Sequence, residues 1–388
     1  MHNILTKEQQ QKQAEFHMFA QENIKPLAHQ IDQKEIVPSE LITKIAQQGY
    51  LGAHMPRQYG GTEMDMITYG LLNKELGAAC SSTKSLLTVH GMVLQAINRW
   101  GTQDQKKLWL SDMVCGKKLG AFGLTEPDYG SNAGGINTAA VSTGQEYILN
   151  GTKLWISFGQ IADIFLLFAD LHGQKTAFLI PRNTEGLSIY PIKGLLGLRG
   201  TMSARLVLNN CRISKENLLG RAGTGISHVA LDALNLGRYT VAWGCVGLIQ
   251  ACLQDTIKYA KRRRQFGHAL SMHQLIQKMI ANMSVNLSAA QLLCIHAGTL
   301  LEDRDPNCIQ EVCKAKYFSA AAAQKSASDA VQVHGANGCS VEYAVSRYYR
   351  DAKIMEIIEG TTQMHEIMIA NQVIKATETV GGIDDAAI

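Results

Sequence analysis

Along the first 115 residues, apolar side chains recur at three- and four-residue steps, the spacing of one helical face. Phe16, Phe19 and Ile24 share such a face, and Thr6 with Gln9 has the spacing of a capping box ahead of it. A second helix is predicted to start near Ser39, run through Leu41, Ile42, Ile45 and Ala46, and stop at Gly49. Pro56 and Gly60–Gly61 mark a turn, and further helical stretches cover Ile67 to Ala78 and Met92 to Trp100. Near Gly116 the pattern changes to short β-like runs: Tyr147-Ile148-Leu149, Ile164 to Phe168, Thr176 to Ile180 and Arg205 to Leu208. Asn150-Gly151, directly after the first run, has hairpin-turn composition. This region is expected to be an antiparallel β-domain ending near Gly220. From Gly225 the helical period returns, in Ile226 to Arg262, Met272 to Leu301, the Ala-rich Val312 to Val333, and Ile354 to Ile374. The tail from Thr377 to Ile388 is expected to be loose. The expected architecture is mainly α with an inserted β-domain, divided at 1–115, 116–222 and 223–388, the outer thirds combining into a helical bundle.

Composition narrows the function classes. Apolar residues make up 46% and charged ones 18%, which excludes a disordered chain. Thirty-seven basic against 33 acidic residues give +4, too little for a dedicated nucleic-acid binder. Apolar runs such as Ile164 to Ala169 fall short of the ~20 residues of a membrane span. The N-terminus lacks the pattern of a signal peptide. Nine cysteines, an odd number without a CxxC pair, argue against a disulfide framework or a metal site. No nucleic acid, membrane or metal is expected as a partner, and a reducing cytoplasm is the expected home.

Five segments carry potential chemistry, each with a plain structural alternative. Leu124-Thr125-Glu126-Pro127 with Gly130-Ser131 is either a ligand-approaching loop or a capped turn. Trp155-Ile156-Ser157 offers a flat apolar face and one hydroxyl to a planar heterocycle, or belongs to an ordinary β core. Lys261 to Gly267 is the densest cationic cluster, suited to a pyrophosphate or to a solvated helix end. Gln332 to Gly338 is a glycine-bearing turn that lies along a nucleotide or links two helices, with His334 structural. Glu359-Gly360-Thr361 interrupts an apolar helical pattern. A carboxylate there should have a raised pKa, as a general base needs, and Thr361 is placed to cap a helix.

These segments occur together with Gly197-Leu198-Arg199-Gly200 and Tyr349 to Ile354. In that order the chain resembles the acyl-CoA dehydrogenase family from end to end. The resemblance implies an N-terminal helical domain, a middle β-domain, a C-terminal four-helix bundle, and FAD stretched between the last two. It implies that Leu124, Thr125, Trp155 and Ser157 line the flavin ring and that Ser131 edges the flavin and thioester site. It further implies that Arg263, Gln265, Phe266 and Gln274 reach the FAD of a neighbouring subunit, in a homodimer or homotetramer. Gln332, Gly335 and Ala336 match the turn along its pyrophosphate, and Thr361 and Gln363 match further cofactor contacts. Glu359 matches the base, with Arg238 and Gly360 beside the substrate; the alternative base position of a minority of members is Gly237 here. Many members have an aromatic-Asp pair before that arginine, where this chain has Leu234 and Asn235. With the Val241 to Gly247 segment, these departures resemble the carrier-protein-dependent branch that makes hydroxymalonyl or methoxymalonyl extender units. That likeness implies an acyl carrier protein as partner and a 2-hydroxy-3-oxopropionyl substrate, leaves the electron acceptor open, and keeps a short-chain acyl-CoA dehydrogenase as the alternative.

Overall fold

The computed structural model describes residues 4–380, with side chains through Lys375. The chain opens on α1 (Lys7–Phe19), whose capping box forms as expected: Gln9 N–H donates to Thr6 Oγ1 and Thr6 N–H to Gln9 Oε1, each 3.1 Å. After α2 (Ala28–Lys34), α3 (Ser39–Gln47) buries Leu41, Ile42 and Ile45. α4 (Met66–Ala79) is enclosed from Thr68 onward. α5 (Ser81–Trp100) is longer than the apolar period suggests, because its first half carries Ser81, Ser82, Thr83, Lys84 and Ser85. These polar residues are inside: every residue from Ser81 to Leu94 is buried. α6 (Gln103–Val114) completes the helical region.

Among the described residues, one eight-stranded sheet follows. Its strands are β1 (Gly120–Gly123), β2 (Ala139–Ser142), β3 (Glu146–Ile156), β4 (Ile164–Leu171), β5 (Gln174–Pro181), β6 (Leu187–Pro191), β7 (Ala204–Ser214) and β8 (Leu218–Leu219). The order is β6-β7-β3-β2-β4-β5-β8, with β1 also on β4. The sheet is mixed and not purely antiparallel, since β1 and β2 both pair parallel to β4 through long connections. Asn150-Gly151 is no hairpin. It lies inside β3, at a register shift against β7 between Leu149 and Gly151. A Cβ at Gly151 would stand 2.6–2.8 Å from Thr138, and Asn210 N–H donates to the Asn150 Oδ1 at 2.7 Å. The pair thus serves a bulge. The tight turn of β4–β5 is His172-Gly173, with φ of 54° and 84°, the left-handed pair a primed hairpin turn requires.

His90 ties the helical region to the sheet. Gly120 N–H of β1 donates to its Nδ1 at 3.1 Å, so its Nε2–H donates to the Met113 carbonyl at 3.0 Å. Both ring nitrogens are used by a neutral imidazole, and burial pushes its pKa down to about 4.

The remaining helices are α7 (Leu231–Arg262), α8 (Gln274–Glu302), α9 (Cys308–His334), α10 (Ala344–Met355) and α11 (Thr362–Val380). A two-strand hairpin, β9 (Arg264–Gln265) with β10 (His268–Ala269), joins α7 to α8. α7 is the axis, packed by α4, α5, α8 and α9. By length and composition α8 is apolar enough to cross a membrane. It packs on α7 and α9, and its outer face exposes Leu275, Val285 and Leu292. α11 continues through Val380, so the expected loose tail starts no earlier, and its remainder lies outside the described residues. The described cysteines are free thiols, most of them buried. No group of metal-holding side chains occurs among the described residues.

Contact between α4 and α7 is close enough to exclude a methyl group. A Cβ at Gly247 would fall 2.0 Å from the Lys74 carbonyl oxygen. Gly247→Ala should lower stability by about 1–3 kcal/mol, read as a reduced urea midpoint with an unchanged slope.

Candidate active site

The site is built around the break between α10 and α11. Thr361 caps α11: its hydroxyl accepts from Met364 N–H at 3.3 Å and its carbonyl from His365 N–H at 3.1 Å. Just before it, Glu359 and Gly360 take φ of 55° and 99°. A glutamate in this region is strained and persists only where its surroundings hold it. Two buried cations do so. Arg238 of α7 donates from Nε to the Glu359 carbonyl at 3.1 Å, and Lys316 of α9 donates from Nζ to the Gly360 carbonyl at 2.7 Å. The carboxyl is thereby aimed at α7, where Gly237 leaves room. A Cβ at that position would stand 2.7 Å from Glu359 Oε2 and 2.8 Å from Met92 Sδ. Glu359 is only half-buried as a residue, but its Oε2 is sealed and has no hydrogen-bond partner. Burial pushes its pKa up, opposed in part by Arg238, Lys316 and Lys84.

A second wall comes from the sheet. Glu126, buried, accepts from Asn137 N–H at 2.6 Å, Thr138 N–H at 2.9 Å and Lys153 Nζ at 2.7 Å. Lys153 also donates to the Leu124 carbonyl at 3.2 Å, and Leu154 N–H donates to the Thr125 carbonyl at 2.9 Å. This buried ion pair pins the Leu124–Thr125 loop beside the end of β3. There a second register shift throws Trp155 out of the ladder, at φ 62° and 54% exposed, next to half-buried Ser157. Leu124 belongs to an apolar cluster against which Leu234 of α7, one turn before Gly237, also packs.

The other expected residues lie farther out. Ser131 is exposed on the loop beyond Glu126. Arg263, Gln265, Phe266 and Gln274 are exposed around the β9–β10 corner, with Phe266 91% exposed at its tip. Gln332, Gly335 and Ala336 are exposed at the end of α9, and nothing lies within 4 Å of the Cβ position of Gly335. Gln363 is exposed on the first turn of α11. A single chain does not gather these residues around Glu359. Arg238, expected beside the substrate, is engaged by the Glu359 carbonyl and only 6% exposed. His334 is structural as expected, stacked on Tyr259 with Nδ1 donating to the Ala330 carbonyl. Lys84, Lys153 and Lys316 are the residues that motif reading misses. Lys84 and Lys153 each stand as a lone cation in a small-residue or apolar run, whereas Lys316 follows Lys314 by two residues and carries no such signal.

Comparison with known proteins decides the family. The acyl-CoA dehydrogenase N-terminal, middle and C-terminal domains match residues 6–117, 121–211 and 223–374. The chain belongs to the acyl-CoA dehydrogenase family. It is 36% identical to the probable acyl-CoA dehydrogenase YngJ of Bacillus subtilis, covering 96% of this chain and 99% of that one. It is 34% identical to the mitochondrial short-chain specific acyl-CoA dehydrogenase of Mus musculus, over 92% of this chain and 88% of that one. Butyryl-CoA dehydrogenase from Megasphaera elsdenii superposes with a TM-score of 0.91 at 33% identity, covering 95% and 99%. Glutaryl-CoA dehydrogenase from Mycobacterium smegmatis, solved with FADH2, gives 0.92 at 31%, covering 96% of each chain. FkbI, described as acting in methoxymalonyl extender-unit biosynthesis, gives 0.85 at 27%, covering 94% and 99%.

The protein is therefore a flavin oxidoreductase acting on acyl groups, and the family's cofactor is FAD. The residues present fit such a group. An exposed indole lies beside Thr125 and Ser157, open space surrounds the Gly335 turn, and Arg263 and Phe266 project without cover.

Two outcomes follow from this geometry. Lys153→Met leaves Glu126 buried without its cation and should cost about 3–5 kcal/mol, measured by denaturant unfolding. For Glu359 the folded pKa lies above the ordinary 4.5, so its contribution to stability is full below that value and is lost as pH rises through the folded pKa. Glu359→Gln should therefore melt at the same temperature as wild type near pH 4 and increasingly higher toward pH 8; a difference that shrinks with pH would show the reverse shift.

Proposed function

We propose that this protein is an FAD-dependent dehydrogenase of short acyl thioesters, introducing an α,β double bond, with Glu359 as the base. The observation that carries the reading is the sealed, unpartnered Oε2 of Glu359, held in a left-handed turn and facing the gap over Gly237. FAD, when bound, supplies the hydride acceptor. The rest is the chain's own work. Glu359 Oε2 takes the α-proton, and burial, by raising its pKa above the ordinary carboxylate value, makes it a stronger base. The α-position is acidic only when the thioester oxygen is held by donors. The Glu359 N–H donates to no carbonyl of the described residues, which leaves it for that oxygen. Arg238 and Lys316 act as positioning residues, fixing the turn before substrate arrives.

In this reading Leu124, Thr125, Trp155 and Ser157 flank the ring, with Ser131 at its edge. The β9–β10 corner, with Arg263, Gln265 and Phe266 and nearby Gln274, reaches a second copy's cofactor. Gln332, Gly335 and Ala336 lie along the pyrophosphate, and Thr361 and Gln363 complete the contacts. The short-chain relatives support the substrate length. A second reading keeps the base and the hydride acceptor but not the desaturation: on a carrier protein, the hydrated aldehyde of a 2-hydroxy-3-oxopropionyl thioester would give up its C3 hydride while Glu359 takes a hydroxyl proton, yielding the hydroxymalonyl carboxyl. Leu234 and Asn235 favour it: neither offers a carboxylate, and Leu234 packs against the apolar cluster that contains Leu124.

Glu359→Gln should keep the flavin spectrum and lower turnover by about 10²–10⁴; near-normal activity would place the base elsewhere. Arg263→Ala should weaken FAD retention about tenfold or more and loosen self-association, read by FAD content after gel filtration and by light scattering. Fast flavin bleaching by butyryl-CoA supports the first reading; bleaching only by the glyceryl-derived carrier protein supports the second.

A further inference from the structure

α5 and α7 run antiparallel past the base, and their facing residues descend from it in step. Met92 lies against Gly237, Thr88 against Thr240, and Lys84 against Gly244. The Thr240 hydroxyl donates to the Gly237 carbonyl at 2.9 Å and stands 2.9 Å from the Thr88 hydroxyl. Lys84 Nζ donates to Thr88 Oγ1 at 2.9 Å. Lys84 and Thr240 are fully buried and Thr88 is 4% exposed. A polar ladder therefore runs from the Gly237 carbonyl, beside the catalytic carboxyl, to an ammonium, within two turns of α7, about 10 Å.

A wall built for an alkyl tail needs none of this. An ammonium carries three N–H donors, and Lys84 uses one. It forms no ion pair of its own among the described residues; the neighbouring Cys245 and then Glu359 act on its charge. A Cβ at Gly244 would meet the Lys84 Cε at 2.7 Å, so the lysine occupies space that only a glycine leaves. Arg238, Lys316 and Lys84 thus all act on the Glu359 carboxyl, with Glu356 as a further carboxylate acting on Lys316. Burying a surplus of cations is costly unless a counter-charge or acceptor arrives. Burial brings the Lys84 pKa down only to about 8, so the ammonium is largely retained at pH 7.

We propose that Lys84, with Thr88 and Thr240, closes the acyl pocket and selects a short acyl chain ending in an oxygen acceptor, a carboxylate or a hydroxyl. The assignment rests on the reading of Glu359 as the base and names the substrate class for it. Either carrier presents the same pantetheine arm, so pantetheine thioesters test the acyl end alone.

The FAD-loaded Glu359→Gln protein is titrated calorimetrically with butyryl, 4-hydroxybutyryl and succinyl pantetheine thioesters, alone and with Lys84→Met or Lys84→Arg added. The expected result is at least tenfold tighter binding of one oxygenated thioester over butyryl, which of the two identifying the acceptor. Lys84→Met should collapse that ratio to within twofold, and Lys84→Arg should retain it, which separates a lost donor from a lost fold. Butyryl binding as tightly as both oxygenated thioesters, or a ratio that survives Lys84→Met, overturns the proposal. Anaerobic bleaching of the wild-type flavin separates the two levels. Bleaching by butyryl pantetheine without an oxygen preference sinks only the Lys84 assignment; no bleaching by any of the three sinks the base reading and this one with it.

Discussion

Everything at this site depends on a strained turn held from behind. A left-handed glutamate followed by a left-handed glycine would relax without support. Arg238 and Lys316 clamp the two carbonyls from separate helices, so the direction of the Glu359 side chain is set by tertiary structure. The same clamp sets its electrostatics. The cations that fix the turn also oppose the rise that burial imposes on the carboxyl pKa. Gly237 is the complement on α7, since any side chain there would collide with the carboxyl.

The opposite wall uses the same device with the signs exchanged. A buried carboxylate, Glu126, is satisfied by two backbone N–H groups and by Lys153, and the lysine reaches on to the Leu124 carbonyl. A loop that would otherwise be free is made rigid, and the bulge at Trp155 presents an indole to the outside. Both walls thus depend on buried charge used as scaffolding. Such pairs add little net stability and cost much when half is removed, so they point to positioning as their role.

Much of this was legible in residue order and some of it was not. The helix–sheet–helix sequence, the capping box at Thr6 and the cap at Thr361 follow from local rules, and all are present. Asn150-Gly151 misleads because the composition of a primed turn also suits a bulge, and only the approach of Thr138 decides between them. The parallel pairs of β4 are invisible locally, since they join segments far apart in the chain. The first half of α5 is hidden by its polar residues, whose burial reflects the site they serve. Glu359 was legible as a candidate base, whereas its clamp was not, because Arg238 and Lys316 come from two other helices. The carrier-protein branch rests on segments such as Val241 to Gly247 and on the departures at 234 and 235, whereas the relatives found are mainly acyl-CoA dehydrogenases and the extender-unit protein FkbI is 27% identical.

The central claim is that Glu359 Oε2 removes the α-hydrogen of a bound thioester. Exchange of that hydrogen with solvent deuterium tests it most directly, using a thioester with a sulfur atom in place of the β-carbon, which can lose its α-proton but no hydride. Nuclear magnetic resonance of the FAD-loaded protein should show rapid exchange in the wild type and none above background in Glu359→Gln. Exchange that proceeds equally in both would contradict the account.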